Sequence, residues 1–203
     1  EIFFVVAKGG TYTITDRTPA APVTPVAPSK PADKPDETKP TETTYPDVQP
    51  TDWYYEAVEA VTEKGLMSGT DNGFEPNLAT SRAMIWTVLA RMDGKTVSGS
   101  GSEWYAAAQS WASENGVSDG SDPNGRITRE QFAAMLYRYA LRQGRAGADA
   151  AANFAGFADV ESVSDWARDA MRWAVSSGII NGIDGRLCPQ GEATRAQIAT
   201  MLQ

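Results

Sequence analysis

The chain has 203 residues, of which 41% are apolar, and a formal net charge of −8. This composition supports one or two modest domains with a packed core. An acidic chain lacks the many basic residues on which affinity for nucleic acid or an anionic membrane rests, so neither is an expected partner. With one cysteine and no histidine, a disulfide framework, a thiolate zinc site and a histidine-dependent triad are excluded. We also expect no metal or other cofactor. Calcium at residues 122–125 is the alternative, but a calcium loop would need an acid where Gly120 stands and a glutamate where Gln131 stands.

Residues 1–17 have the pattern of two short strands around a glycine turn. An apolar run at 2–6 and alternating residues at 11–15 flank Gly9 and Gly10, which predicts a β-hairpin. A lone hairpin is marginally stable in water, so we interpret it as the last hairpin of a β-rich domain upstream in a longer parent protein. A free-standing tail is the alternative. The apolar run is too short for a transmembrane helix and lacks the basic start of a signal peptide.

Residues 18–44 are predicted to be a linker. Prolines at positions 19, 22, 25, 28 and 31 recur every third residue, which is the period of a polyproline II helix. The rest of the segment has too little apolar surface to fold. We interpret the segment as a spacer. The more specific alternative is that it is a ligand for a proline-binding domain.

The remainder of the chain repeats one sequence skeleton three times. Each copy has a tryptophan, a glycine twelve residues later, and an arginine that follows a threonine or serine. The tryptophan-to-arginine spacing is 29, 25 and 29 residues, so the middle copy lacks four residues of one loop. A repeat architecture follows, with repeats at 45–93, 94–143 and 144–203. The landmark residues are Trp53, Gly65 and Arg82, then Trp104, Gly116 and Arg129, then Trp166, Gly178 and Arg195.

Each repeat is predicted to fold as helix, loop, helix. Apolar residues of the first segment recur at i, i+4, i+7 and i+8, which is one face of an α-helix beginning at the tryptophan. Asp52 and Asp165 stand where its N-cap is expected, and the repeated glycine is expected to end it in a left-handed conformation. Thr128 and Thr194, each with glutamine three residues on, predict a capping box at the second helix, of which Ser81 supplies only half.

The position of the three tryptophans on this alanine-bearing face favours packing in the core over stacking on sugar rings. We accordingly expect Trp166→Ala to cost about 3–5 kcal/mol of stability, the range for an emptied aromatic core site. A unit of this size cannot bury its own tryptophan, so the three repeats are expected to pack on each other.

The ordered motifs resemble S-layer homology domains. They comprise the F-x-D-V opening at 157–160, the W-x3-A helix, the G-x-F-x-P loop at 73–76 and the T-R-A-Q helix start at 194–197. The second copy lacks both the opening and the G-x-F-x-P loop. The resemblance implies an all-α fold, in which three helix-loop-helix repeats pack as a pseudo-threefold spindle after the linker and the hairpin.

The resemblance also implies a function. Grooves between repeats in this family bind secondary cell-wall polysaccharide, often through its pyruvate ketals, and so hold an exported protein non-covalently on the bacterial cell wall or S-layer. The repeats themselves are expected to have no enzymatic activity, whereas a catalytic upstream domain is left open. The alternative is a helical-repeat interaction module that docks a protein or self-assembles into a surface lattice without glycan.

An arginine at the start of the second helix in every copy is the principal candidate for ligand binding. Helix-end N–H groups together with a guanidinium favour an anion, preferably a planar carboxylate such as a pyruvyl group. Under this hypothesis, replacing the arginines weakens binding and changes stability little. The alternative is that each arginine pairs with an internal acid and locks adjacent repeats. The candidate carbohydrate-binding residues are Arg82, Arg129, Arg195, Asp47, Asp159, Tyr54 and Tyr105.

Overall fold

Two α-helices in each repeat form the framework of the molecule. The computed structural model describes residues 44–99, 101–146 and 154–203, and these ranges are all-α, as predicted. The hairpin predicted at 1–17 and the linker predicted at 18–44, up to residue 43, lie outside the described residues. The described helices are α1 (Tyr55–Glu63), α2 (Arg82–Met92), α3 (Ala106–Glu114), α4 (Arg129–Arg142), α5 (Arg168–Ser176) and α6 (Arg195–Leu202), and a 3-10 turn at Asp165–Ala167 precedes α5.

The ends of the first helices and the starts of the second helices are as predicted. Gly65, Gly116 and Gly178 have φ of 65°, 66° and 70°, the left-handed conformation that ends a helix. Thr128 and Thr194 form complete capping boxes with the glutamine three residues on. The Ser81 hydroxyl also accepts from the third N–H of its helix, without the reciprocal bond.

The first helix of each repeat begins later than predicted. Its N-cap residue, Tyr54, Tyr105 or Ala167, makes no side-chain capping hydrogen bond. Asp52, predicted to cap α1, instead accepts from the backbone N–H of Gln49 (2.8 Å) in the preceding turn. The repeated tryptophans consequently lie in the turns before the helices.

This late start corrects the predicted core position of the tryptophans. Trp53 and Trp166 are 67% and 57% exposed, and Trp104 is half-buried. The helical period that placed them in the core does not apply to residues outside the helix. The buried tryptophans are Trp86, Trp111 and Trp173, which lie within α2, α3 and α5.

A ring of backbone hydrogen bonds joins the three repeats at their centre. The Thr80 N–H donates to Ala193 O, the Ala193 N–H to Ile127 O and the Ile127 N–H to Thr80 O, each at 2.9 Å. Each of these buried residues immediately precedes the N-cap of its second helix. The bonds return to their starting point, which gives the pseudo-threefold arrangement.

The helices pack in the same cyclic order. The second helix of each repeat lies against the first helix of the next, so that α2 contacts α3, α4 contacts α5 and α6 returns to α1. The described residues belong to one compact unit, Thr43–Gln203. The buried residues of all three repeats therefore form one continuous hydrophobic core, which extends across each interface between repeats.

Candidate functional site

The arginine at the start of each second helix reaches into the next repeat of the ring. Its Nε donates to a loop carbonyl oxygen at 2.7–2.9 Å. Arg129 and Arg195 are only 4% and 6% exposed, and this burial lowers the pKa of both guanidinium groups, which nevertheless remain protonated at neutral pH. The acceptors are Ser121 for Arg82, Leu187 for Arg129 and Phe74 for Arg195.

The backbone N–H groups at these helix starts already have acceptors within the protein. In α4 the Arg129 N–H donates to Gly191 O (2.9 Å) and the Glu130 N–H to Pro189 O (3.0 Å). The next N–H donates to the capping hydroxyl, and α2 and α6 repeat the arrangement. The backbone half of the predicted anion site is therefore wrong, because the loop of the next repeat occupies it.

Asp47 and Asp159 each hold the loop of their own repeat. Their carboxylates accept two successive backbone N–H groups at 2.7–2.8 Å, from Phe74 and Glu75 and from Leu187 and Cys188. The second residue of each pair has a φ of 55° or 51°, a conformation that side chains rarely adopt. Burial opposes ionisation of Asp159, but these N–H bonds outweigh it and lower its pKa. Neither carboxylate forms an ion pair with an arginine in the part of the chain that is described.

Two grooves bring an exposed tryptophan of one repeat to an arginine of another. The Arg82 groove, of about 250 Å³, combines Trp166 of repeat 3 with Arg82 of repeat 1 on a wall from repeat 2. The Arg129 groove, of about 470 Å³, combines Trp53 of repeat 1 with Arg129 of repeat 2 on a wall from repeat 3. The two walls include the equivalent residues Gln131 and Gln197 and the equivalent residues Met135 and Met201.

The two predicted tyrosines support tryptophans and are not among the residues that line these two grooves. Tyr54 packs edge-on against Trp53, with ring centroids 5.2 Å apart, and Tyr105 packs edge-on against Trp104 at 5.6 Å. The third repeat has Ala167 at this position.

Each groove offers an aromatic face, a guanidinium group and a side-chain amide within one concave surface. An aromatic face suits the apolar face of a sugar ring, and a guanidinium suits a carboxylate. Sequence reasoning missed the groove residues Gln131, Gln197, Met135 and Met201 as well as Asp119. The signal of the glutamines and methionines was their equal offset from the repeated arginine, which also fits a helix that is simply buried. Asp119 gave no such signal, because the other repeats have no acidic residue at its position.

Within the described ranges, no group of three or more histidine, cysteine, aspartate or glutamate residues could hold a metal ion. None of the helices described is long and apolar enough to cross a membrane.

The comparisons with known proteins agree with the sequence motifs. The family model of the S-layer homology domain matches residues 44–83 and 156–199. The chain is 31% identical, over 79% of its length, to an amylopullulanase of Thermoanaerobacterium thermosulfurigenes. It is 27% identical, over 78%, to the exoglucanase XynX of Acetivibrio thermocellus and 29% identical, over 78%, to the S-layer protein sap of Bacillus anthracis. These alignments span only 9%, 16% and 21% of those proteins.

The two matched segments, in repeats 1 and 3, are therefore S-layer homology domains, as the sequence motifs imply. The residues between the two matched segments contain repeat 2, which departs from the motifs but takes the same place in the ring. The domain is a non-catalytic module for anchoring at the cell surface, found both in S-layer proteins and in multidomain enzymes.

Proposed function

We propose that this module anchors an exported bacterial protein to the cell wall by binding an acidic, pyruvylated secondary polysaccharide in the grooves between its repeats. The observation that supports the proposal is the recurrence of one exposed tryptophan and one arginine, from different repeats, in each of the two grooves. Exposing a large aromatic side chain to water has no benefit for folding. Its recurrence beside a charged group is typical of a binding surface.

The closed ring suits a polymeric ligand. Grooves formed between successive repeats are presented around one rigid body, so a single polysaccharide can occupy more than one groove. Once the first groove is occupied, the others meet the polymer at a high effective concentration, which raises the overall affinity without new contacts. Anchoring of this kind needs no covalent bond and no chemical step.

The test is co-sedimentation of the chain with purified cell-wall sacculi, with and without their secondary polysaccharide. We expect binding only to sacculi that keep the polysaccharide. Trp53→Ala and Trp166→Ala should each weaken binding by about tenfold, the effect of losing an interface anchor of 1–2 kcal/mol, and the double variant should lose more than either.

Leu141→Ala is the matched control, because Leu141 is 44% exposed and is not among the residues that line the two grooves. It should bind as the unmodified chain does. Equal binding to stripped sacculi would contradict the proposal. Concentration-dependent association of the chain without any wall material, together with unchanged binding of both tryptophan variants, would favour the lattice-forming alternative.

A further inference from the structure

Repeat 2 has a carboxylate where the other repeats have neutral side chains. Fifteen residues after its tryptophan it has Asp119, whereas repeats 1 and 3 have Ser68 and Asn181. Asp119 lines the Arg82 groove. Its Oδ1 lies 2.7 Å from Nη2 of Arg82, and its side chain is 69% exposed while that of Arg82 is 15% exposed. A molecule entering the groove therefore meets a carboxylate beside the guanidinium.

Repeat 2 lacks the aspartate of the F-x-D-V opening, and Asp119 holds the loop of this repeat in its place. Its Oδ1 accepts from the Ser121 backbone N–H (3.0 Å), and its Oδ2 accepts from the Ser121 hydroxyl (2.8 Å). Ser121 corresponds to Phe74 and Leu187, because the carbonyl of each accepts from the Nε of the repeated arginine. The N–H groups of Phe74 and Leu187 are held by Asp47 and Asp159 in the other repeats.

The other two arginines have no such carboxylate. Nη2 of Arg195 donates to the backbone carbonyl of Ser68 (2.7 Å), and no acidic group within the described ranges forms an ion pair with Arg129 or Arg195. Asp184 lines the Arg129 groove without such a pair.

Asp119 is ionised at neutral pH. The hydrogen bond from the Ser121 N–H lowers its pKa most, and the bond from the Ser121 hydroxyl and the charge of Arg82 lower it further.

A second arginine in the Arg82 groove, Arg138, has a structural partner of its own. Its Nη1 donates to Val117 O (3.3 Å). The equivalent residue of repeat 1, Arg91, makes the same bond to Leu66 O (3.0 Å). Arg138 thus bonds the end of the first helix in its own repeat, as Arg91 does, whereas the guanidinium of Arg82 pairs with a carboxylate of the groove.

We propose that Asp119 takes the place beside Arg82 that the ligand's carboxylate takes in the Arg129 groove. The Arg82 groove then accepts an uncharged sugar residue, and the Arg129 groove accepts the acidic one. This inference rests on the proposed function and refines it, because it makes Asp119 the residue that determines specificity between grooves. A ligand carboxylate in the Arg82 groove would have to approach a fixed like charge, which is unfavourable.

The test uses two small probes that differ by one charge: a methyl hexopyranoside carrying a 4,6-O-pyruvate ketal, and the methyl ester of the same compound. The indole N–H resonances of Trp53 and Trp166 report the two grooves separately and are assigned with Trp53→Phe and Trp166→Phe. We expect the acid to bind at the Trp53 signal at least about tenfold more tightly than the ester, the ratio for a charge-assisted hydrogen bond. At the Trp166 signal the two probes should differ by less than about twofold.

Asp119→Asn gives repeat 2 the residue that repeat 3 has at this position, and its amide oxygen can still accept from Ser121. This variant should acquire a preference for the acid of about tenfold at the Trp166 signal and remain unchanged at the Trp53 signal. An acid preference at the Trp166 signal in the unmodified chain overturns the inference, whether or not the variant folds. So does a folded Asp119→Asn variant that gains no preference.

Sacculus binding separates failure of this inference from failure of the proposed function. If neither indole signal responds to the acid in either chain while sacculus binding persists, the inference alone is wrong. If sacculus binding is also absent, both are wrong.

Discussion

At the scale of single residues, exposure separates the tryptophans that stabilise the fold from those that line the grooves. Trp173 is 8% exposed and Trp166 is 57% exposed. Trp173→Ala should lower the free energy of unfolding by about 3–5 kcal/mol, the cost of an emptied aromatic core site. Trp166→Ala should lower it by less than about 1 kcal/mol, as a surface substitution does. Urea unfolding of the two variants measures both values, and equal losses would contradict this division.

The buried arginines stabilise the fold in addition to any contact with ligand, which corrects the expectation that replacing them changes stability little. Arg195 donates to the carbonyls of Phe74 and Ser68, both at 2.7 Å. Arg195→Ala should cost about 2–4 kcal/mol, because two acceptors lose a charged donor. Binding by an alanine variant must therefore be compared at equal folded fraction.

The control for this substitution is Arg126→Ala. Arg126 pairs with Glu192 at 2.8 Å, but the two side chains are 65% and 49% exposed. An exposed pair contributes only about 0–1 kcal/mol. Thermal unfolding of both variants gives the comparison, and an equally small effect at Arg195 would show that its buried bonds contribute little.

At the scale of elements, sequence chemistry predicts a helix boundary well where a capping side chain or a left-handed glycine fixes it. The starts of α4 and α6 were predicted correctly because Thr128 and Thr194 form their capping boxes with residues three positions on. The start of α1 was predicted too early because Asp52, the predicted cap, accepts from Gln49 in the preceding turn instead, and the N-cap residue Tyr54 makes no cap bond. That boundary depends on the preceding turn and on contacts with other repeats, which a local pattern does not contain.

The C-cap residue of α2, Asp93, connects three helices and should make stability depend on pH. Asp93 accepts from Trp111 Nε1 (3.1 Å), Arg142 Nη1 (2.9 Å) and Gln143 Nε2 (2.7 Å), and its side chain is 8% exposed. Burial alone would raise its pKa, but the bonds from Arg142 and Trp111 outweigh burial, so the pKa lies below the ordinary value of 3.8. A carboxyl whose pKa is lower in the folded state stabilises the fold above the unfolded pKa. Its contribution is lost as the pH falls below about 4, through the folded pKa.

We expect the free energy of unfolding to fall as the pH drops below about 4, and to fall less steeply in Asp93→Asn, which cannot take up the proton. Chemical unfolding at a series of pH values measures the slope. Asp165→Asn is the control, because the Asp165 side chain is 98% exposed in its pair with Arg168. If both variants changed the slope equally, Asp93 would not be the group responsible.

At the scale of the whole molecule, the sequence predicted the three repeats and their arrangement but not how the arginines are used. The spacing identified Arg82, Arg129 and Arg195 as equivalent. The alternative that the arginines lock adjacent repeats anticipated a contact between repeats but named an acid as the partner. The loop carbonyls were not identified, because each contact joins residues far apart in the chain, such as Arg195 and Phe74. The tryptophan–arginine grooves combine three repeats, so no single repeat contains the information for them.

Closure of the ring predicts that the first repeat depends on the last helix. The N–H groups of Arg195 and Ala196 donate to Leu78 O (3.0 Å) and Pro76 O (2.9 Å), and α6 packs against α1. After deletion of residues 194–203 the chain should therefore no longer unfold in one cooperative transition. Amide exchange should be faster in α1 as well as in α5. In a linear array, only the repeats next to the deletion would be affected.

Removal of residues 1–42 is the matched control for this deletion, because they lie outside the unit Thr43–Gln203. The shortened chain should keep one cooperative transition. Hydrogen exchange and thermal unfolding of both chains provide the measurement. Protection of α1 at its full value in the chain that lacks residues 194–203 would show that the ring does not stabilise repeat 1.

The same closure determines how the module yields under tension. In an open row of repeats, a pull on one end detaches the terminal unit first, because that unit has a neighbour on one side only. Here repeat 1 is bonded to repeat 2 through Ile127 and to repeat 3 through Ala193. A force applied to the N-terminal end of repeat 1 must therefore break both interfaces together. The module should resist a steady load as one body and then fail in a single event, with no progressive lengthening beforehand.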